Sequence, residues 1–130
     1  MTNSTRAEVF KEIELEQAHF STAPAAFFRA WKSGASLAGA RFFGAGTTST
    51  LDVAVNVWDL RPNLQLISDS ISVMSAGEKV FLAALVSFYN SEDGGRLLQR
   101  VGVQGLADLG GLDLARRTVI AALILNYTGW

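Results

Sequence analysis

Apolar residues recur at intervals of three and four along most of this chain, which is the spacing of one face of an α-helix. The clearest runs are Leu64, Ile67, Ile71 and Met74, and then Phe81, Leu82, Leu85 and Phe88. Only residues 51–60 also alternate as a strand does, and a lone strand would leave its backbone edges unpaired. The sequence therefore predicts an all-α bundle of six or seven helices. Helix is favoured for Leu51–Leu60, and a strand remains the alternative there.

Length and composition indicate one folded unit. The chain has 130 residues, of which 49% are hydrophobic and 18% are charged, a balance that excludes intrinsic disorder. A chain of this size buries roughly two thirds of its unfolded surface and needs no metal or disulfide to fold. We therefore expect residues 1–130 to form a single compact domain.

Helix-capping signals set the predicted boundaries in the first third of the chain. Thr5 and Glu8 have the spacing of a capping box and predict a helix with Val9, Ile13 and Phe20 on its apolar side. The opposite side is acidic, with Glu8, Glu12, Glu14 and Glu16.

A second helix is predicted to begin at Ser21 or Thr22, because Pro24 is tolerated in a first turn, and to end at Gly34. From there to about residue 50 the chain is rich in glycine and small residues. We expect residues 34–50 to form a Gly-rich joint in the bundle.

Two further signals divide the second half of the chain. Ser75 and Glu78 repeat the capping-box spacing and predict the strongest helix of the sequence. The pair Gly94–Gly95 is predicted to interrupt the helix after it. Residues 106–109 predict a short helix or turn, and residues 112–127 predict the last helix.

Charge and cysteine content exclude several classes of protein. Eleven basic and twelve acidic residues give a net charge of −1, which argues against nucleic acid as a partner. The chain has no cysteine, so it has no disulfide or thiolate metal site, and a reducing cytoplasm is the expected location. We expect no export signal in the polar residues 1–6 and no membrane span, because the apolar runs are shorter than about 20 residues.

Side chains that could carry chemistry are scarce. His19 is the only histidine, and although Glu16 stands three residues before it, no second Glu-x-x-His exists for a di-metal site. The acidic face of the first helix is better explained by contact with water or a basic partner. Residues 44–49 lack the terminal lysine of a phosphate-binding loop. The sequence thus predicts no cofactor or metal and leaves enzymatic activity uncertain but disfavoured.

Small basic spots occur in the C-terminal half, at Arg96 and Arg100 and at Arg116 and Arg117. We expect these side chains to pair mainly within the chain. If two copies associate head to tail, the acidic first helix of one could also face the arginines of the other, which would steer association more than strengthen it.

Aromatic residues are the most informative feature for function. Neighbours in a helix point about 100° apart, so one member of an adjacent pair such as Phe27–Phe28 or Phe42–Phe43 tends to leave the core. The candidate interaction residues are Phe27, Phe28, Trp31, Phe42, Phe43 and Trp58. We therefore expect a non-enzymatic interaction module that forms a homo-oligomer or binds a protein partner, although burial of every ring in the core remains open.

The alternative function is binding of a small apolar ligand between helices. Such pockets are mostly apolar with few polar groups, and Arg41 or His19 could supply one. The expected lining is Phe27, Trp31, Phe42, Trp58, Phe81 and Phe88.

Overall fold

A computed structural model describes residues 5–130 and confirms the all-α bundle. The six α-helices are α1 (Arg6–Ala38), α2 (Thr48–Val53), α3 (Leu64–Ser70), α4 (Ala76–Tyr89), α5 (Ser91–Arg100) and α6 (Leu114–Asn126). Four short 3-10 helices stand between them, at Ala40–Phe42, Val57–Leu60, Ile71–Val73 and Leu106–Gly111. No strand forms within residues 5–130, where the single β-bridge pairs Phe43 with Pro62.

The first helix is longer than the sequence predicts. Thr5 caps it as expected, accepting a hydrogen bond from the backbone N–H of Glu8 at 3.3 Å. The predicted boundary at Ser21–Pro24 is wrong, because α1 continues through Pro24. The hydroxyls of Ser21 and Thr22 donate to the carbonyl of Ala18 at 2.8 and 3.3 Å, so they act inside the helix and not as caps. Helix α1 packs extensively on α6, and this tertiary packing offsets the helix-breaking tendency of proline.

Gly34 does not end this helix, contrary to prediction. It is buried within α1, and a β-carbon there would lie 3.1 Å from atoms of both Leu85 and Val119. Its lack of a side chain lets α1 approach α4 and α6 closely. The helix ends instead before Gly39, whose φ of 120° is a conformation that favours glycine. Whether residues 34–50 act as a joint stays a prediction.

The ambiguous segment 51–60 is helical in two pieces. Helix α2 ends at Val53, and a 3-10 helix begins at Val57 after three non-helical residues. The side chain of Asn56 starts the second piece by accepting hydrogen bonds from the backbone of Trp58 and Asp59 at 3.0 and 3.3 Å.

The glycine pair in α5 also does not interrupt a helix, contrary to prediction. Helix α5 runs from Ser91 to Arg100 through Gly94 and Gly95. A β-carbon on Gly94 would overlap the backbone of Ser87 in α4, whereas one on Gly95 would meet open space. Gly94 is therefore a point of close approach between α4 and α5, and tertiary packing explains it better than a turn does.

Helix α4 is the centre of the core. Its six consecutive residues Phe81–Val86 are buried, and Ser75 caps its start as predicted, accepting a hydrogen bond from the N–H of Glu78. The most extensive helix contacts join α1 to α6 and α4 to α5. The bundle thus surrounds α4, and α1 lies along one side of it.

Candidate functional site

The predicted interaction residues do not form a common surface. Four of them are buried, with at most 4% of each residue exposed to solvent: Phe27, Trp31, Phe42 and Phe43. Phe28 is half-buried and packs against the core, and Trp58 is 54% exposed. These rings therefore belong mainly to the interior of the chain, and an interaction surface has to be sought elsewhere.

The prediction that one of Phe42 and Phe43 leaves the core is wrong, because it assumes an α-helix at this pair. Phe42 ends a 3-10 helix and Phe43 is extended, with φ −130° and ψ 140°, so both rings reach the core. The ring of Phe43 meets Trp31 edge-to-face at 5.7 Å between centroids. Because the core covers both rings, this pair needs no partner.

An aromatic cluster around Trp31 accounts for much of the aromatic surplus. The indole N–H of Trp31 donates to the buried carbonyl of Leu60 at 2.9 Å. Trp130 packs edge-to-face on Trp31 at 4.7 Å and on Tyr89 at 5.1 Å. Phe27, 6.2 Å from Trp31, and Trp58, 6.0 Å from Trp130, complete the cluster. The sequence marks Trp130 only as a terminal aromatic, and no periodic pattern indicates that it joins this cluster.

The uncovered apolar surface lies at the other end of α1. We call residues 6–18 the α1 extension, because every residue in this range is exposed and the first buried residue of the helix is Ala23. Large apolar side chains are nevertheless present along and just beyond it, with exposed fractions of 47% for Val9, 61% for Phe10, 43% for Ile13, 63% for Leu15 and 57% for Phe20.

Three of these residues form a line on one face, which we call the bare stripe: Val9, Ile13 and Phe20. At about 100° per residue, the three side chains fall within about 40° of one another around the helix. Phe27 and Trp31 follow on the same face and are buried. The bare stripe is thus the continuation of the face that α1 uses to join the core.

The end of α6 sets where burial of α1 stops. Helix α6 ends at Asn126, and the imidazole Nε2 of His19 lies 2.8 Å from the carbonyl oxygen of Leu125, to which it donates a hydrogen bond. This bond provides a partner for one of the last carbonyl groups of α6. His19 is therefore a structural contact at the boundary of the bundle, and the residues before it extend past α6.

Among residues 5–130, no charged side chain of the α1 extension forms an ion pair. The ion pairs found among residues 5–130 join Arg96 to Glu92 and Asp93, and Arg116 to Asp113. Arg100 donates to Ser68 and Ser72. The arginines of the C-terminal half thus find partners mainly within the bundle, in line with expectation.

In the part of the chain that the structure describes, no three side chains of histidine, aspartate or glutamate are grouped closely enough to hold a metal ion. Lowered pKa values occur at carboxylates that begin helices. Hydrogen bonds from Ser75 lower the pKa of Glu78, and backbone hydrogen bonds from Gln104 and Gly105 lower that of Asp108. The pKa of Asp113 is lowered by hydrogen bonds from the backbone and then the side chain of Arg116. These carboxylates serve local structure.

A half-open cleft of about 360 Å³ lies between α4, α5, α6 and the 3-10 helix at 106–111. Apolar residues dominate its lining, which includes Phe88, Leu98, Leu109, Ile120 and Ile124. Of the six rings predicted to line a ligand pocket, only Phe88 is among them. Neither Arg41 nor His19 lines it, so the cleft differs from the predicted pocket in place and in polar groups.

Comparisons with protein families, curated proteins and solved structures give no match to this chain. Among the described helices, none combines the length and apolar character required to cross a membrane.

Proposed function

We propose that this protein is an interaction module that docks another protein through the bare stripe of α1. The observation that carries the proposal is that one continuous helical face is buried from Ala23 onward and uncovered at Val9, Ile13 and Phe20. An exposed apolar line that continues a core face is the kind of surface that helices bury against partners.

The energetics favour a partner for this surface. Full burial of a Val, Ile or Phe side chain stabilises by roughly 1.5–3 kcal/mol, and these side chains are about half exposed. Covering three of them would contribute a few kcal/mol, which is enough to support a weak or moderate complex after the entropic cost of association. A docked partner would also suppress fraying of a helix end whose residues 6–18 are all exposed.

Site-specific photo-crosslinking tests the proposal. A photoreactive amino acid is placed at Ile13 in the full chain, and the matched control carries it at Leu15, which is also exposed but about 160° away around the helix. After irradiation of the cells that produce the protein, we expect protein adducts at position 13 and few at position 15. Equal adducts at the two positions, or none at position 13, would contradict docking by this face, whatever the partner is.

The cleft beside α5 supports a second candidate function, the binding of a small apolar ligand. Its volume and apolar lining fall in the range of small-molecule sites. Native mass spectrometry of the purified protein should then show a co-purifying mass that is lost when Leu98→Trp fills the cleft. A protein that carries no added mass, and binds no apolar probe at this cleft, would exclude this candidate.

A further inference from the structure

We propose that the partner of the bare stripe is a second copy of this chain, whose α1 extension pairs antiparallel with the first. This inference rests on the proposed function and adds the identity and the orientation of the partner. It derives from the order of apolar and charged residues along the extension, together with the exposure of that segment on all sides.

The extension has the residue spacing of a coiled-coil seam. Arg6, Val9, Ile13, Glu16 and Phe20 follow one another at intervals of three, four, three and four. Such intervals place side chains in successive layers when two helices pack side by side. The two layers in the middle of the exposed segment are apolar, and a charged residue of opposite sign lies on either side of them.

The charges distinguish the two possible orientations. In a parallel pair each layer contains the same residue twice, so Arg6 would face Arg6 and Glu16 would face Glu16 in the seam. In an antiparallel pair with Val9 opposite Ile13 of the second copy, Arg6 of each chain faces Glu16 of the other. Opposite charges then close both ends of the apolar layers, whereas the parallel arrangement places like charges together.

The shape of the molecule permits this arrangement. The extension is about 20 Å long at a rise of about 1.5 Å per residue, and all of its residues are exposed. Antiparallel overlap of residues 6–16 leaves the two bundles at opposite ends of the pair, and Phe20 lies outside the overlap. The two-fold axis passes near residue 11.

The flanks of the seam add one favourable and one unfavourable contact. Phe10 lies on one flank, and the axis brings it near Phe10 of the second copy, which buries two rings that are 61% exposed in the single chain. Glu12 lies on the other flank and approaches Glu12 of the second copy. This repulsion is exposed to water and is therefore reduced by salt.

The size of the interface predicts its strength. Two apolar layers, two charged layers and the Phe10 contact form an interface at the small end of the range for specific complexes. We expect a dissociation constant on the order of 1–100 μM. Because burial of apolar layers dominates and the Glu12 repulsion is screened, added salt should not abolish pairing.

Analytical ultracentrifugation of the full chain tests self-association. We expect a concentration-dependent dimer that Ile13→Glu weakens at least tenfold, while the matched variant Leu15→Glu leaves the dissociation constant within about twofold. Circular dichroism establishes that both variants stay folded, as expected for exposed positions. A chain that stays monomeric at millimolar concentration, or a dimer insensitive to Ile13→Glu, would overturn the inference.

Charge exchange tests the proposed contacts. Arg6→Glu and Glu16→Arg should each weaken the dimer several-fold, because each creates two like-charge layers, and the double variant should restore much of the lost affinity. Independent, additive losses in the double variant would show that these residues do not face each other.

Engineered cysteines test the orientation, because the chain has none of its own. We expect a mixture of Val9→Cys and Ile13→Cys proteins to form mainly the mixed disulfide, which mass spectrometry separates from the two symmetric products. Predominantly symmetric products would indicate a parallel pair and overturn the proposal. If position 13 crosslinks in cells to a different protein while the purified chain is monomeric, docking by the bare stripe stands and self-pairing fails.

Discussion

The two halves of α1 carry the same kind of apolar face and differ in what covers it. In the second half, Phe27 and Trp31 are buried by the core, whereas in the first half Ile13 and Phe20 on the same face are about half exposed. The hydrogen bond from His19 to Leu125 marks the boundary, since α6 ends one residue later. The length of α6, and not a change in the pattern of α1, therefore decides which part of the helix is uncovered.

This difference separates two uses of one sequence pattern. A residue of the covered half stabilises the fold, whereas an exposed residue of the first half contributes little to it and, under the proposed pairing, acts only in a complex. Substitutions of the same type in the two halves should therefore have effects on different measurements.

Phe27→Ala and Phe20→Ala give the largest contrast. Phe27 is buried, so its truncation should lower the free energy of unfolding by about 3–5 kcal/mol, whereas that of Phe20 should change it by less than about 0.5 kcal/mol. Urea unfolding at low protein concentration, where pairing is absent, measures both. Similar losses for the two variants would show that Phe20 already belongs to the core and would remove the distinction between the halves.

His19→Ala probes the boundary and should have a moderate effect. Loss of the hydrogen bond from Nε2 to the carbonyl of Leu125 should lower the free energy of unfolding by about 0.5–1.5 kcal/mol. Amide hydrogen exchange should speed up in the last turn of α6 and in the adjacent part of α1. His19→Gln, whose amide can also donate, should lose less. Unchanged exchange in both segments would indicate that this bond does not join them.

Acid should destabilise the starts of the bundle helices more than the start of α1. Of the three contrasts, this one should give the smallest change in the free energy of unfolding. Asp113 begins α6, and hydrogen bonds from the backbone and side chain of Arg116 lower its pKa. The folded state thus favours the charged form. The resulting stability is present above the ordinary pKa of aspartate and is lost as the pH falls through the lowered value.

Asp113→Asn keeps an oxygen that can cap the helix and should remove this part of the pH dependence. Urea unfolding from neutral to acid pH should give a shallower decrease for the variant than for the native chain. Thr5, which caps α1, is uncharged, so Thr5→Ala serves as a control that should shift stability equally at every pH. Parallel curves for Asp113→Asn and the native chain would contradict the role of this carboxylate.

Local patterns in the sequence were sufficient for the helical class and for several helix starts. Thr5 and Ser75 cap helices as predicted, because a capping box depends on residues only three positions apart. Residues 64–70 and 76–89 also form helices where the apolar spacing predicts them. These features depend on local hydrogen bonds and on one apolar face.

Glycine and proline gave wrong helix boundaries where contacts between helices determine the backbone. Gly34 and Gly94 are typical of helix ends by local rules, yet each lies inside a helix at a point of close approach to another helix. Pro24 lies inside α1 for a related reason, since the flanking turns are held by α6. No pattern within one segment reveals how closely a distant segment will approach it.

The candidate site was only partly accessible from sequence. The apolar face at Val9, Ile13 and Phe20 was visible as a pattern, but its exposure depends on where α6 ends, more than one hundred residues later. Phe42 and Phe43 were candidates for an interaction surface or a ligand pocket, yet both are buried, because their backbone is not α-helical. The sequence shows which side chains are apolar, but it does not show which of them the fold buries.

The aromatic cluster has a practical consequence for spectroscopy. All three tryptophans of the chain lie in it, with Trp130 at 4.7 Å from Trp31 and 6.0 Å from Trp58, and residues 6–18 contain neither tryptophan nor tyrosine. Intrinsic tryptophan fluorescence will therefore report on unfolding of the bundle, and it should not change when the first turns of α1 fray or are covered by a second molecule.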